Sequence, residues 1–133
     1  LGLCHGDWTT HYGCIQAPLT RKPGSLIERC VAADGQNALT HYHCCHHTAE
    51  ASLVRFHLET GRTHQIRVHC AYVGHPLLGD DLYGGLQAQI QRQALHAYAL
   101  RFRHPLTKKV ICVRSPLPSD MKNLLQNKNY LKK

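Results

Sequence analysis

The sequence has no long apolar run and few acidic residues. No apolar stretch among the 133 residues approaches the roughly 18 needed to cross a bilayer, which excludes a transmembrane helix. No basic segment followed by an apolar one opens the chain, as a secretory signal would require. The composition, with 43% hydrophobic and 18% charged residues, is typical of one globular domain or a large piece of one.

Acidic residues are half as frequent as basic ones. Eight Asp and Glu against sixteen Lys and Arg give a formal net charge of +8. The last acid is Asp120, and without the four lysines that follow it the chain still carries +4. This basic body favours a polyanionic partner, although charge alone leaves open a merely soluble basic domain.

Disulfide pairing cannot be complete, because the chain has seven cysteines. Cys44 and Cys45 are adjacent, and the other five lie in apolar or strand-like stretches, as small buried hydrophobic residues do. This pattern predicts a reduced, intracellular protein. Because the sequence starts at Leu1 and its one methionine is Met121, we expect it to lack its natural beginning.

The clearest strand and the clearest helix are consecutive. Residues 52–60 alternate apolar Val54, Phe56 and Leu58 with charged or polar neighbours, the period of a half-buried strand. Gly61 breaks that strand, and Thr63 is the predicted N-cap of a helix that ends near Gly74 and Pro76.

The remaining segments predict a single α+β unit. Residues 7–25 are typical of a connecting loop with short extended pieces, and residues 34–37 of a turn between two extended segments. Further extended segments are predicted at 1–6, 26–33, 38–45, 94–102 and 109–114, a short helix at 118–126 and a frayed basic tail at 127–133. The expected fold class is α+β, with a mixed, mainly antiparallel sheet and a few flanking helices.

The start of the predicted helix is chemically dense. Residues 61–69, GRTHQIRVH, carry two arginines, two histidines and a glutamine. Side chains three and four positions apart share a helix face, which groups His64 with Arg67 and Val68. Backbone N–H groups at a helix start favour an anion, so this site suits a phosphate or a carboxylate. A solvated amphipathic helix with incidental charges is the alternative.

Three sequence motifs together resemble those of a known protein family. Residues 58–69 (LETGRTHQIRVH), followed by GHPLLGD at 74–80 and LHA at 95–97, resemble the motifs of the RluA-type RNA pseudouridine synthases. The resemblance covers nearly the whole chain. It implies part of a pseudouridine synthase catalytic domain, and an activity that isomerises uridine to pseudouridine in rRNA or tRNA. It also implies RNA as the partner, no cofactor, no metal and no membrane.

The resemblance also implies roles for individual residues. Arg67 corresponds to the arginine that holds the catalytic carboxylate of the family in its ionised form, since a buried carboxylate needs a charged partner. Leu95 corresponds to an apolar wall beside the base. The residues expected to bind the target nucleotide are Arg62, Thr63, His64 and Gln65. His69 faces away from Arg67 and is expected to be structural, while Asp80 is a structural or positioning candidate.

One family motif is missing. The catalytic aspartate of the family lies in an Arg-Leu-Asp segment, and no such segment occurs in this sequence. Residues 1–6 resemble the strand that begins just after an active-site tyrosine of the family. We therefore expect residues 1–133 to be the C-terminal portion of one catalytic domain, monomeric, cytoplasmic and inactive alone.

Two other functions compete with this interpretation. The cluster Cys44-Cys45-His46-His47 suggests a zinc site, but adjacent strand residues point to opposite faces and no Cys-x-x-Cys pair completes a ligand set. A non-catalytic RNA-binding protein derived from the same fold fits the charge equally well.

Overall fold

A computed structural model describes residues 1–87 and 89–127, in which every strand pair is antiparallel. The strands are β1 (Gly2–His5), β2 (Tyr12–Gln16), β3 (Leu19–Arg21), β4 (Arg29–Val31), β5 (Leu39–His47), β6 (Ala51–Leu58), β7 (Ala99–Arg103) and β8 (Val110–Arg114). The helices are α1 (Gln65–Tyr72) and α2 (Ser119–Asn127), with a short 3-10 turn at Asp81–Tyr83. The α+β prediction is confirmed. The predicted frayed tail lies outside the described residues from position 128 onward.

One four-stranded sheet, in the order β1-β6-β5-β2, organises the core. Neighbouring residues of β1 point to opposite faces, as in any strand. Leu3 packs with residues of α2, while Cys4 packs with Cys70 of α1. The two helices therefore cover opposite faces of the sheet, and each fully buried leucine contributes about 1.5–3 kcal/mol of burial free energy.

Strand β6 follows the predicted alternation only in its second half. Its first four residues, 51–54, are all buried, because helices lie on both sides of the sheet there. Beyond Val54 the helices no longer cover the strand, and Leu58 is 40% exposed. The alternating pattern therefore identified the strand correctly but not the face that its last residue presents.

The free edge of β1 is closed by two segments from far along the chain. Leu3 donates its N–H to the carbonyl of Ala94 (2.9 Å) and accepts the N–H of Leu78 (2.8 Å). The N–H of His96 donates to the carbonyl of Leu1 (2.9 Å). These bonds fix the segments around residues 77–80 and 94–96 beside the sheet.

One local prediction is wrong and two gain detail. The short extended pieces expected within 7–25 are β2, which pairs with β5, and β3, which pairs with β4. The turn near 34–37 lies between β4 and β5, which belong to different sheets. Helix α1 has His64, not Thr63, at its N-cap, with φ 56°. No helix of the described residues is long and apolar enough to cross a membrane.

Candidate active site

The turn from β6 into α1 is held by the side chain of Gln65, which is 2% exposed. Its Oε1 accepts hydrogen bonds from the Thr60 hydroxyl (2.8 Å) and the Arg62 N–H (2.9 Å). Its Nε2 donates to the Leu39 carbonyl (3.1 Å) and to Thr40 Oγ1 (3.0 Å). With two acceptor and two donor bonds made inside the protein, this amide has no free group for a nucleotide.

His69 continues the same buried network. The Thr40 hydroxyl, which already accepts from Gln65, donates to Nδ1 of His69 (2.8 Å), and Nε2–H donates to the Ala17 carbonyl (2.9 Å). This directionality leaves Nδ1 without a proton, and burial lowers the pKa of His69. His69 is therefore structural, as its position on the helix predicted.

Arg67 makes a two-bond ion pair with Asp80. Nε donates to Oδ2 (2.9 Å) and Nη2 donates to Oδ1 (2.8 Å). The Asp80 side chain is 0% exposed and that of Arg67 is 14% exposed. The hydrogen bond to this carboxylate raises the pKa of Arg67. The pair is thus buried. A salt bridge on the surface, which would leave Arg67 with no functional role, does not describe it.

The geometry leaves one edge of the guanidinium open. A guanidinium carries five N–H donors, and Asp80 takes one on Nε and one on Nη2. Among the described residues, nothing accepts a hydrogen bond from the two donors on Nη1 of Arg67. The Nη1–Nη2 edge has the spacing for a second bidentate carboxylate or a phosphate.

Glycines allow the Asp80 loop to approach so closely. Gly79 has φ +76°, and a Cβ there would lie 2.0 Å from the Arg92 carbonyl oxygen. Gly85 donates its N–H to the Asp80 carbonyl (2.7 Å), and a Cβ there would lie 2.0 Å from the Leu77 carbonyl oxygen. Neither position accepts a side chain without moving the backbone that carries Asp80.

Tyr83 supports the charged group from the other side. Its ring centroid lies 5.1 Å from Cζ of Arg67, within the range of a cation–π contact. Its hydroxyl accepts the Arg29 N–H (3.0 Å) and lies 2.7 Å from Nδ1 of His64. Burial, with the nearby Arg67 charge second, lowers the pKa of His64, so its neutral ring accepts the tyrosine proton at Nδ1 and carries a proton on Nε2.

The other predicted site residues are not all brought together. Arg62 is exposed and donates from Nε to the Asn37 carbonyl (2.9 Å), and Thr63 beside it is also exposed. Leu95 packs at the edge of the core cluster that contains Cys4. Sequence reasoning did not identify Tyr83 or Arg29 as part of this site.

Arg29 adds a second cation near His64. Its charge contributes to lowering the pKa of His64, after burial and Arg67. Its Nη1 is buried and has no hydrogen-bond partner within the described part of the chain. A buried donor without an acceptor is costly to the folded state.

Two cavities lie elsewhere. One, of about 360 Å³, lies beside the C-terminal end of α1, with Trp8, Tyr42, Tyr72 and His75 among its lining residues. The other, of about 540 Å³, lies between residues 89–92 and α2. Arg67 lines neither of these two cavities. Where the structure is described, no three His, Cys, Asp or Glu side chains group as metal ligands.

The chain is similar to known proteins that are named RNA pseudouridine synthases. The RNA pseudouridylate synthase family matches residues 9–72. The uncharacterized RNA pseudouridine synthase YjbO of Bacillus subtilis is 48% identical over 96% of this chain and 45% of its own length. Ribosomal large subunit pseudouridine synthase D of Haemophilus ducreyi is 40% identical over 88% of this chain and 40% of its own length. The chain therefore spans less than half the length of these two relatives.

Solved structures agree with the sequence comparison. Human RNA pseudouridylate synthase domain containing 1 superposes with a TM-score of 0.73 at 25% identity, over 96% of this chain and 63% of that one. A second human protein, RNA pseudouridylate synthase domain containing 4, superposes with a TM-score of 0.75 at 20% identity, which shows a shared fold. By its motifs, its relatives and its fold, this chain belongs to the RluA-type family of RNA pseudouridine synthases.

Proposed function

We propose that these 133 residues form the C-terminal part of a catalytic domain that isomerises uridine to pseudouridine in RNA. The observation that carries the proposal is the open edge of Arg67, an arginine already fixed by Asp80 and Tyr83. Relatives named for the large ribosomal subunit support ribosomal RNA as the substrate class. The seven free thiols fit a reducing, intracellular location.

In this proposal Arg67 bridges two carboxylates. Asp80 occupies the Nε–Nη2 edge and sets the orientation of the guanidinium, and the catalytic aspartate of the family docks on the Nη1–Nη2 edge. A charge-assisted pair of hydrogen bonds keeps that aspartate ionised next to the target base. The aspartate lies outside these residues, since the sequence contains no Arg-Leu-Asp segment. Asp80 acts as a positioning residue because both of its oxygens are already bound to Arg67.

The cations around the helix start bind the target nucleotide. Arg62, Thr63 and the Nε2–H of His64 supply exposed or half-buried donors, and the charge of Arg29 adds to the positive potential beside His64. A flipped-out nucleotide needs such donors around its phosphates. Leu95 remains the proposed apolar wall beside the base. Gln65 is reassigned to bracing the turn, because its amide is saturated by protein groups.

Tritium release from RNA labelled at C5 of uridine tests the activity. The 133-residue chain is expected to release none, and a protein that joins it to an Arg-Leu-Asp segment is expected to be active. In the active protein, Arg67→Ala should lower kcat on the order of 10²–10³-fold with little change in RNA affinity. Arg62→Ala should weaken RNA binding and reduce its salt dependence instead. If both variants lowered only the melting temperature, the assigned roles would be wrong.

A non-catalytic RNA-binding protein is the second candidate. It is favoured by the completed pair between Arg67 and Asp80, which needs no further carboxylate to be stable. The coding sequence upstream of Leu1 separates the two functions. An Arg-Leu-Asp segment and a tyrosine just before Leu1 support the enzyme, and their absence supports the binding protein. Isomerisation by the 133-residue chain itself would instead make Asp80 the candidate nucleophile.

A further inference from the structure

The β7–β8 hairpin differs from the other strands in its exposure. Of its ten strand residues, nine are exposed and Ile111 is half-buried. Its register pairs Ala99 with Arg114 and Arg101 with Cys112. Both faces of this two-stranded ribbon therefore contact solvent along its length.

The two faces of the hairpin differ in chemistry. Residues opposite one another, and alternate residues along a strand, share a face. One face therefore presents the three arginines Arg101, Arg103 and Arg114, which we call the basic face. The other face presents apolar side chains, those of Leu100, Phe102, Ile111 and Val113.

The charge of the basic face is not neutralised nearby in sequence. From Asp81 to Asp120 no acidic residue intervenes, while six Lys and Arg do. None of the ion pairs among the described residues involves a side chain of the hairpin. The neighbouring turn adds Lys108 and Lys109, which increases the local positive potential.

The hairpin backbone fixes the positions from which these arginines project. The ring nitrogen Nδ1 of His104 accepts the N–H groups of Leu106 and Thr107 (both 3.2 Å). Arg103 donates from Nη1 to the Lys108 carbonyl (2.8 Å), which closes the turn. Two positions apart along the strand, the Cα atoms of Arg101 and Arg103 are separated by about 6.8 Å, close to the separation of successive phosphates on a nucleic-acid strand. The basic face therefore presents its cations at a spacing that suits an extended phosphate backbone.

We propose that the basic face binds the phosphate backbone of the RNA, outside the target nucleotide. This inference rests on the proposed function, because it takes RNA as the polyanion. Arginine suits this role, since its planar donors match phosphate oxygens and need no particular base. The hairpin then provides sequence-independent affinity, whereas the helix start at Arg62 provides contacts to the target nucleotide.

The test compares two charge-matched double variants of the 133-residue chain. R101Q/R114Q removes two cations of the basic face, and R55Q/K122Q removes two exposed cations from β6 and α2. Binding of a fluorescein-labelled RNA hairpin with a uridine-rich loop is followed by anisotropy across a KCl series. R101Q/R114Q should reduce the slope of log Kd against log salt by about 1.5, and the control should keep the wild-type slope. Circular dichroism verifies that both variants fold.

Each other outcome contradicts a defined part of the reasoning. Equal slopes for the two double variants would overturn the role of the hairpin. If Arg62→Ala still reduced the slope in that case, the proposed function would survive. If the unmodified chain bound RNA without salt dependence, both proposals would fail. Salt-dependent binding to phosphatidylserine vesicles that R101Q/R114Q abolishes, with RNA binding unchanged, would assign the basic face to a lipid surface and overturn the proposal.

Discussion

Replacing Asp80 by Asn should destabilise the protein far more than the same change at Asp120. Both aspartates make two bonds to an arginine, at 2.8 and 2.9 Å for Asp80 and at 2.9 Å each for Asp120. The two ion pairs differ in their exposure to solvent. The side chains of Arg67 and Asp80 are 14% and 0% exposed, whereas those of Arg92 and Asp120 are 39% and 42% exposed.

The magnitudes follow from this contrast. A hydrogen bond to a charged group is worth about 1.5–3 kcal/mol, and losing one partner of a buried pair typically costs about 3–5 kcal/mol. Because Arg67 retains slight contact with solvent, Asp80→Asn should cost about 3 kcal/mol, near the lower limit of that range. The exposed pair of Asp120 should contribute about 0–1 kcal/mol.

Urea unfolding, followed by the fluorescence of the buried Trp8, measures both costs. A third variant, R67M/D80L, removes both charges and should lie within about 1–2 kcal/mol of the unmodified chain, because no unpaired charge is left behind. If Asp80→Asn and Asp120→Asn cost the same, the first pair is hydrated in solution. The idea that Asp80 fixes Arg67 would then be refuted.

Three further predictions concern the glycine loop, the buried histidine and the thiols. Gly79→Ala should cost at least about 3 kcal/mol in a urea titration, since it adds a backbone clash to the strain at positive φ; Gly84→Ala, whose Cβ meets open space, should cost only about 1–2 kcal/mol. The pKa of His69 is lowered in the folded state, so the unfolded state binds its proton more readily. Stability should therefore fall as the pH drops below about 6.5, by at most about 1.4 kcal/mol per pH unit for this residue, and H69Q should show a shallower dependence. A slope unchanged by H69Q would contradict the assignment. Iodoacetamide and mass spectrometry should find prompt alkylation of the exposed thiols, which belong to Cys14, Cys45 and Cys112. Alkylation before unfolding is not expected at the buried thiols, which belong to Cys4, Cys44 and Cys70.

Local periodicity predicted the longer and more regular elements best. Strands β6 and β8 and helix α2 lie within two residues of their expected bounds, whereas β7 starts five residues later than expected. The bounds of β2 and β3 within 7–25 were not predictable, because strands of five and three residues carry too short a pattern. The predicted N-cap of α1 was wrong for another reason. The chain enters the helix through a left-handed backbone conformation at His64, and no side chain caps the first turn.

Only the part of the site that lies on α1 was predictable from the sequence. The helix pattern placed Arg67 and His64 on a common face, but nothing in that pattern identified Tyr83 or Asp80 as their partners. Those contacts depend on how the loop after Gly74 folds back. A usable signal did exist: Asp80 follows the apolar residues Leu77 and Leu78, and an acid buried with them needs a cation.

The sealing of β1 has a consequence for how the molecule folds. Leu3 donates its N–H to the carbonyl of Ala94, 91 residues away, and its own carbonyl holds Leu78, in the segment that carries Asp80. Contacts across such long stretches of chain form slowly, because loop closure costs entropy before any bond is gained. Refolding kinetics should therefore show the pairing of β1 with the segments around Leu78 and Ala94 among the last events.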